Sequence, residues 1–127
     1  MKISRAPFRV SLFGGGTDFK SWYSKHTCTI ISLSIDKYCY VTFRPLLPFY
    51  GVKYRTTWSE IENVDSLESI KHPSIRECLR FKDIQDGVEI HTDGDLPARS
   101  GLGSSSAFTV TMLHACNRER GIDMNKK

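Results

Sequence analysis

Alternating apolar and polar positions recur along much of the chain, and a period of two residues is typical of half-buried β-strands. The alternation is clearest at residues 87–92, where Val88, Ile90 and Thr92 are interleaved with a glutamate and a histidine. The other predicted strands cover residues 3–13 (interrupted at Pro7), 29–33, 38–43 and 53–58, which are rich in β-branched and aromatic residues.

Local sequence signals predict how these strands are separated. The three glycines at positions 14–16 must end the first strand. Asp36 and Lys37 lie between two strand-like runs and are predicted to form a hairpin turn. The glutamate-rich residues 60–68 are predicted to form a solvated face.

Two shorter helices are predicted from capping signals. Asp18 is a candidate N-cap for a short helix that carries Phe19, Trp22 and Tyr23 on one face. A second helix is predicted over residues 72–81, because proline is tolerated in a first helical turn, where its missing N–H costs little.

The longest predicted helix covers residues 104–120 and ends at Gly121. Its first three turns are apolar on almost every side, and such a helix is normally covered all round. One interpretation is that the chain is the front part of a larger protein, or that a partner supplies the cover. The alternative is a central helix in a small α+β domain.

Composition narrows the class of protein. The chain has 127 residues, of which 39% are hydrophobic, as expected for one globular domain. Its net charge is 18 − 14 = +4, and these charges are too few and too scattered to indicate nucleic-acid binding. No apolar run reaches the roughly twenty residues of a membrane span. The N-terminus lacks a signal-peptide core, which predicts a cytoplasmic protein.

Cysteine and histidine usage gives no sign of a metal centre. The four cysteines, at positions 28, 39, 78 and 116, show no C-x-x-C pair and are interpreted as scattered buried thiols. The four histidines, at positions 26, 72, 91 and 114, contain no pair at i, i+4 spacing and suggest no set of metal ligands.

The first candidate site is the glycine cluster Gly14, Gly15 and Gly16, followed by Thr17 and Asp18. Glycine can adopt positive φ and lets the backbone approach a ligand closely. Asp18 could accept hydrogen bonds from vicinal hydroxyls such as a sugar presents, and Arg9 lies upstream as a cation. A plain glycine-rich turn, with Asp18 only capping the next helix, is an equal alternative.

The second candidate site joins a strand to the start of the longest predicted helix. A glycine loop leads into successive N–H groups at a helix N-terminus, which suits a phosphate. Three serine hydroxyls in the first turn could bind phosphate oxygens or a phosphate-bound Mg²⁺, whereas an N-cap role would explain only one of them. The residues are Pro97, Gly101, Leu102, Gly103, Ser104, Ser105 and Ser106.

Three known motifs do not match this loop. The chain lacks the Gly-Lys-Ser/Thr of a P-loop and the Gly-x-Ser-x-Gly of a hydrolase elbow. A dinucleotide fingerprint would require a glycine at Ser106 and an acidic residue after a following strand.

The loop resembles instead the ATP-phosphate motif of the GHMP kinases, a family that includes galactokinase and homoserine, mevalonate and phosphomevalonate kinases. Residues 5–10 together with 14–18 resemble the N-terminal motif of the same family. Within it, the triple glycine followed by Thr17 and Asp18 is most similar to bacterial sugar kinases of the heptose-7-phosphate kinase type. The resemblance implies an α+β fold like domain 2 of ribosomal protein S5, with a mixed sheet packed against helices.

The resemblance also implies a chemistry, which is transfer of the γ-phosphoryl group of ATP to a hydroxyl of a small sugar or sugar phosphate. Residues 101–106 would wrap the triphosphate, and Ser105 would be the Mg²⁺ ligand. Arg9 would lie near the acceptor hydroxyl and the transferred phosphoryl group, and Asp18 would hold a substrate hydroxyl. Trp58 and Tyr54 are candidates to border the adenine, although aromatic residues on strands usually serve packing.

The family pattern is only partly present in residues 1–127. We expect this chain to be the N-terminal ATP-binding domain, with a C-terminal domain absent from it. Only Glu119 and Asp123 follow the phosphate loop as acids, and neither is assigned as a catalytic base. We therefore expect the chain alone to lack turnover and to self-associate; the alternative function is a truncated nucleotide-binding module. Arg99 could contact an anion or lie in solvent.

Overall fold

The computed structural model describes residues 1–98, 100–119 and 121, and its centre is a five-stranded sheet. The strand order across the sheet is β1-β2-β5-β3-β4. Their bounds are β1 Lys2–Phe13, β2 Ile31–Pro45, β3 Tyr54–Thr57, β4 Ile61–Val64 and β5 Val88–Gly94. β3 runs parallel to β5 and the other pairs are antiparallel, so the predicted mixed sheet is confirmed.

The α-helices are α1 (Lys20–Tyr23), α2 (Pro73–Phe81) and α3 (Ser104–Glu119). Each coincides with a predicted helix, and Arg120, the last residue of the longest predicted helix, lies outside the described residues. Short 3-10 turns occupy Gly15–Thr17, Pro48–Tyr50 and Leu67–Ser69. None of the helices in the described ranges is both long and apolar enough to cross a membrane.

The core lies on the face of the sheet that α2 and α3 cover. Alternate strand residues point into it, including Val41 and Phe43 of β2 and Ile90 of β5, all fully buried. The helices contribute further apolar side chains, and the largest of these are Ile75, Leu79 and Met112. Three of the predicted buried thiols, those at positions 39, 78 and 116, are buried, and Cys28 is half-buried.

The predicted hairpin turn at Asp36 and Lys37 is wrong, because β2 continues through both residues. The β1–β2 pairing shifts its register there, since Pro7 faces Tyr38 whereas Arg9 faces Ser34. Three residues of β2 therefore lie opposite one residue of β1. A bulge of this kind accommodates polar residues without reversing the chain.

Asp18 is not the N-cap of α1, contrary to prediction, because Phe19 holds that position. Asp18 instead follows the 3-10 turn as its C-cap. Its side chain is thereby left in solvent rather than being engaged by the helix backbone.

Helix α3 packs against β1, β2 and α2 and leaves its remaining side exposed. The side that packs on β1 and β2 buries Ala107, Met112 and Ala115, whereas Val110 on the opposite side is 60% exposed. The far end of the β1–β2 pair also exposes apolar side chains, namely Leu12, Phe13, Ile31 and Leu33. The sheet thus supplies part of the cover that an apolar helix requires.

Candidate active site

Arg9 joins the two glycine-rich segments, which are separated by roughly eighty residues of sequence. Its backbone N–H donates a hydrogen bond to the Leu102 carbonyl at 3.1 Å. Its guanidinium lies 3.8 Å from the Asp18 carboxylate. The predicted anion loop and the predicted hydroxyl-binding turn therefore meet on either side of one cation.

The Gly14–Thr17 turn is a packed structure rather than an open cradle. Gly14 has φ +82°, and a Cβ there would lie 2.1 Å from the Thr29 carbonyl oxygen. The backbone N–H and the hydroxyl of Thr17 both donate to the Gly14 carbonyl, at 3.0 and 2.8 Å. Gly16, by contrast, has open space where its Cβ would be. The turn therefore fixes the chain direction and places Asp18 beside Arg9.

The second glycine loop is open and leads directly into α3. Gly101 and Gly103 have φ values of +75° and +72°, which glycine adopts without strain. A Cβ on Gly101 would meet nothing, whereas one on Gly103 would lie 3.0 Å from Cγ of Arg9. Ser105 and Ser106 are exposed in the first turn, where helix N–H groups lack intrahelical partners. Such groups can bind an anion.

A cavity of about 670 Å³ adjoins this loop. Its walls include Ser104 and Ser105 of α3, which places the start of the helix at the cavity mouth. Apolar groups form most of the remaining wall, and these include Phe8, Leu96, Phe108 and Trp58. Of the two aromatic residues predicted to border a base, Trp58 lines this cavity, whereas Tyr54 is buried in the core.

Glu62 on β4 holds one wall of the cavity in place. One carboxylate oxygen accepts from the Trp58 indole N–H at 2.6 Å, and the other accepts from the Lys71 backbone N–H at 2.7 Å. Burial alone would raise the pKa of Glu62, but these hydrogen bonds outweigh burial, so the pKa lies below its usual value. The prediction of a solvated face for residues 60–68 is wrong at this buried residue.

His72 is a second wall residue whose contribution the sequence pattern did not reveal. It is the N-cap of α2, where its Nδ1 accepts from the Ile75 backbone N–H at 3.3 Å. Its ring lies 5.1 Å from that of Trp58 and 5.2 Å from that of Phe108, measured between centroids. Burial lowers its pKa below the ordinary value, against the opposing effect of Glu62. The imidazole is therefore neutral at pH 7.

The remaining predicted site residues are placed more simply. Pro97 is exposed before the loop, and Leu102 packs against the small buried cluster of Phe8, Cys39 and Ala107. Arg99 lies outside the described residues, and so does Asp123. Glu119 pairs with Lys2 at 3.1 Å, at the far end of α3 from the loop.

The described residues contain no group of three or more His, Cys, Asp or Glu side chains arranged around a metal. A Mg²⁺ ion held mainly by nucleotide phosphates and water needs only one or two protein ligands. The exposed Ser105 hydroxyl fits that requirement, as one ligand beside the open loop.

Comparison with known proteins shows which proteins this chain is similar to. Residues 70–127 match the family described as the GHMP kinases N terminal domain. A solved structure of a D-glycero-D-manno-heptose 1-phosphate kinase from Bacteriodes thetaiotaomicron superposes with a TM-score of 0.77 at 24% identity. It covers 94% of this chain, and the chain covers 42% of it. The predicted resemblance to the N-terminal portion of the GHMP kinases is thereby confirmed, and so is the α+β fold.

The individual relatives act on different substrates. A galactokinase of Chloroflexus aurantiacus is 27% identical over 87% of this chain and 30% of its own length. A mevalonate kinase of Archaeoglobus fulgidus is 30% identical over 98% of the chain and 40% of its own length. A D-glycero-alpha-D-manno-heptose 7-phosphate kinase of Campylobacter jejuni is 25% identical over 88% of this chain and 36% of its own length. The chain thus spans less than half the length of each.

Proposed function

We propose that this chain is the nucleotide-binding part of a kinase that transfers the γ-phosphoryl group of ATP to a hydroxyl of a small sugar or sugar phosphate. The observation that carries the proposal is the position of Arg9 between the open loop and Asp18. Phosphoryl transfer depends mainly on positioning and on stabilising charge. A cation between a phosphate site and a hydroxyl-binding carboxylate meets both needs.

On the nucleotide side, residues 101–106 would bind the phosphates through backbone N–H groups and serine hydroxyls. The positive φ of Gly101 and Gly103 supports this role, because it turns the backbone of the loop without a side chain in the way. The adjoining apolar cavity would take the base. Mg²⁺, with Ser105 as its protein ligand, would neutralise phosphate charge when bound.

On the acceptor side, Asp18 would accept a hydrogen bond from a substrate hydroxyl, and Gly15 and Gly16 would leave room for the sugar. The exposed carboxylate supports this role. Gly14 and Thr17 would act by holding the turn that carries Asp18, rather than by touching substrate. Arg9 would stabilise the negative charge of the transferred group. A heptose phosphate is the acceptor that we favour, because the triple glycine followed by Thr17 and Asp18 resembles sugar kinases of the heptose-7-phosphate kinase type and a relative of that name matches 88% of the chain.

The alternative function is a nucleotide-binding module without turnover. One observation favours it for residues 1–127 alone. Glu119, the only described acid after the phosphate loop, is committed to Lys2 and lies a full helix length from Ser104. A catalytic base would then come from a C-terminal domain, which we propose as the second part of the active kinase.

The test is whether the complete protein phosphorylates any member of a panel of heptose phosphates, hexoses and mevalonate. The release of ADP measures turnover. We expect turnover of order 1 s⁻¹ or faster on a sugar or sugar phosphate. Arg9→Gln should lower kcat by about a hundredfold or more, as loss of a charge-stabilising group does, with a smaller change in ATP affinity. Lys2→Gln, at the far end of α3, is the matched control. No turnover on any acceptor, with ATP still bound, would favour the binding module.

Residues 1–127 alone provide the companion experiment. We expect this piece to show no turnover, because it lacks a placed catalytic base. We also expect it to self-associate, because Val110 on α3 and the apolar side chains at the end of the β1–β2 pair are exposed. Light scattering measures the second outcome. A monodisperse monomer that phosphorylates a sugar would overturn both expectations.

A further inference from the structure

One part of the cavity beside the phosphate loop is formed by two aromatic rings and an imidazole that lies between them. His72 lies between the rings of Trp58 and Phe108, and all three side chains line the cavity. These residues come from three elements, namely the end of the β3 region, the start of α2 and the body of α3. The imidazole is therefore held from two sides by structure that does not depend on a ligand.

Hydrogen bonding assigns the tautomer of this imidazole. Its Nδ1 accepts from the Ile75 backbone N–H, so Nδ1 carries no proton. A neutral histidine with an unprotonated Nδ1 bears its proton on Nε2 and donates from there. Within the described part of the chain, Nε2 has no hydrogen-bond partner. This part of the wall thus offers a donor that lies between two aromatic rings.

The ring orientation is also set independently of a ligand. Glu62 is buried and uses both carboxylate oxygens, one on the Trp58 indole and one on the Lys71 backbone N–H. The first bond fixes the ring that lies edge-on to His72, and the second fixes the residue that precedes it. A donor whose direction is fixed in advance discriminates between ligands better than a mobile one.

We propose that His72 is a specificity-determining residue of the nucleotide pocket, which donates from Nε2 to a ring nitrogen of the bound purine. This inference rests on the proposed function, because it takes the cavity to be the base site. The adenine ring nitrogens N1, N3 and N7 carry no protons and accept hydrogen bonds, so they match a neutral donor. Trp58 and Phe108 would contact the faces or edges of the base, and Glu62 would act as a positioning residue through Trp58.

The experiment measures, by calorimetry on the complete protein, binding of ATP, tripolyphosphate and the 1-deaza, 3-deaza and 7-deaza analogues of ATP. We expect ATP to bind more tightly than tripolyphosphate, and one of the analogues to bind about three- to tenfold more weakly than ATP, as loss of one neutral hydrogen bond gives. That penalty should disappear when His72 no longer donates.

Two variants separate the donor from the other contacts of His72. His72→Phe retains the ring packing but loses the N-cap acceptor, whereas His72→Ser retains a good N-cap acceptor but loses the ring. Both lose the Nε2 donor, so both should lose the penalty for the same analogue. Tripolyphosphate affinity should be unchanged in both. His26→Asn, which alters a histidine that does not line the cavity, should behave as wild type.

The outcomes distinguish this inference from the proposed function. If the wild-type protein binds ATP no more tightly than tripolyphosphate, the cavity is not a base site, and both proposals about it are overturned. If ATP binds more tightly but no analogue is penalised, or the penalty survives in both variants, only the role of His72 is overturned. Loss of the penalty in both variants, with tripolyphosphate binding intact, supports the assignment.

Discussion

The two glycine-rich segments look alike in sequence but serve different purposes in the structure. At Gly14 an added Cβ would lie 2.1 Å from the Thr29 carbonyl oxygen, whereas at Gly101 it would meet nothing within 4 Å. Both glycines have positive φ, so conformation alone does not separate them. The difference lies in what surrounds the backbone.

This difference separates a structural need for glycine from a ligand-binding need. In the first turn, glycine allows the backbone at Gly14 to lie against the backbone at Thr29. The turn thereby fixes Asp18 next to Arg9. The second loop uses glycine to leave backbone N–H groups accessible at the start of α3. Substitutions in the first turn should therefore affect folding, and those in the second loop should affect binding.

The largest effect is expected for Gly14→Ala. Left-handed backbone costs about 1–2 kcal/mol for a residue with a Cβ, and relieving an overlap in a packed site costs about 1–3 kcal/mol. The free energy of unfolding should therefore fall by about 3 kcal/mol in urea denaturation. Gly16→Ala is the matched control and should change it by less than about 0.5 kcal/mol, because its Cβ enters open space. Equal losses would show that the backbone at Gly14 is no more crowded than the backbone at Gly16.

The next effect is expected from Gly103→Ala compared with Gly101→Ala. Both add a Cβ at φ near +70°, so both carry the same backbone strain. Only the alanine at 103 would press on Arg9, whose Cγ lies 3.0 Å from the added Cβ. We expect ATP affinity and kcat of the complete protein to fall about tenfold further in Gly103→Ala, measured by calorimetry and steady-state kinetics. If the two variants have the same ATP affinity and the same kcat, the contact between Arg9 and Gly103 does not affect binding or turnover.

The same contrast explains what sequence reasoning could predict. Helices α2 and α3 and strand β5 were predictable because each carries a local signal: a proline in the first turn, a glycine stop and strict alternation. The prediction of a turn at Asp36 and Lys37 is wrong because the same polar residue types occur in bulges and in turns. Only the pairing of β2 with β1 separates the two.

The candidate site divides along similar lines. The glycines and serines of the loop were predictable, because their types and spacing suit a phosphate in any fold. The contact of Arg9 with Gly103 was not, since it depends on how β1 lies beside the loop. The burial of Glu62 was not predictable, because a single buried carboxylate in an acidic stretch leaves no local signal. Its partners, Trp58 and the Lys71 backbone, are supplied by tertiary structure.

A third prediction concerns Asp18, whose position the first turn fixes. In the complete protein, Asp18→Asn should raise the sugar KM and lower kcat, with ATP affinity nearly unchanged. A charge-assisted hydrogen bond to a hydroxyl contributes about 1.5–3 kcal/mol, so the loss in kcat/KM should be about tenfold or more. The unfolding free energy should hardly change, because the carboxylate is exposed. A fall in ATP affinity with the sugar KM unchanged would mean that the two segments have been assigned the wrong roles.

The smallest effect is expected within the first turn of α3, from Ser105→Ala compared with Ser106→Ala. Ser105 lines the cavity and Ser106 does not, although both are exposed and adjacent in sequence. Neither hydroxyl donates to a backbone carbonyl in the described structure, so neither change should lower the unfolding free energy by more than about 0.5 kcal/mol. If the Ser105 hydroxyl is a Mg²⁺ ligand, its loss should raise the Mg²⁺ concentration needed for half-maximal turnover several-fold, by about 1 kcal/mol of binding. Ser106→Ala should leave that concentration unchanged, and a Mg²⁺ titration of turnover in the complete protein measures both. An unchanged Mg²⁺ requirement in Ser105→Ala would mean that the Ser105 hydroxyl is not a metal ligand, and an equal increase in both variants would mean that the two serines contribute alike.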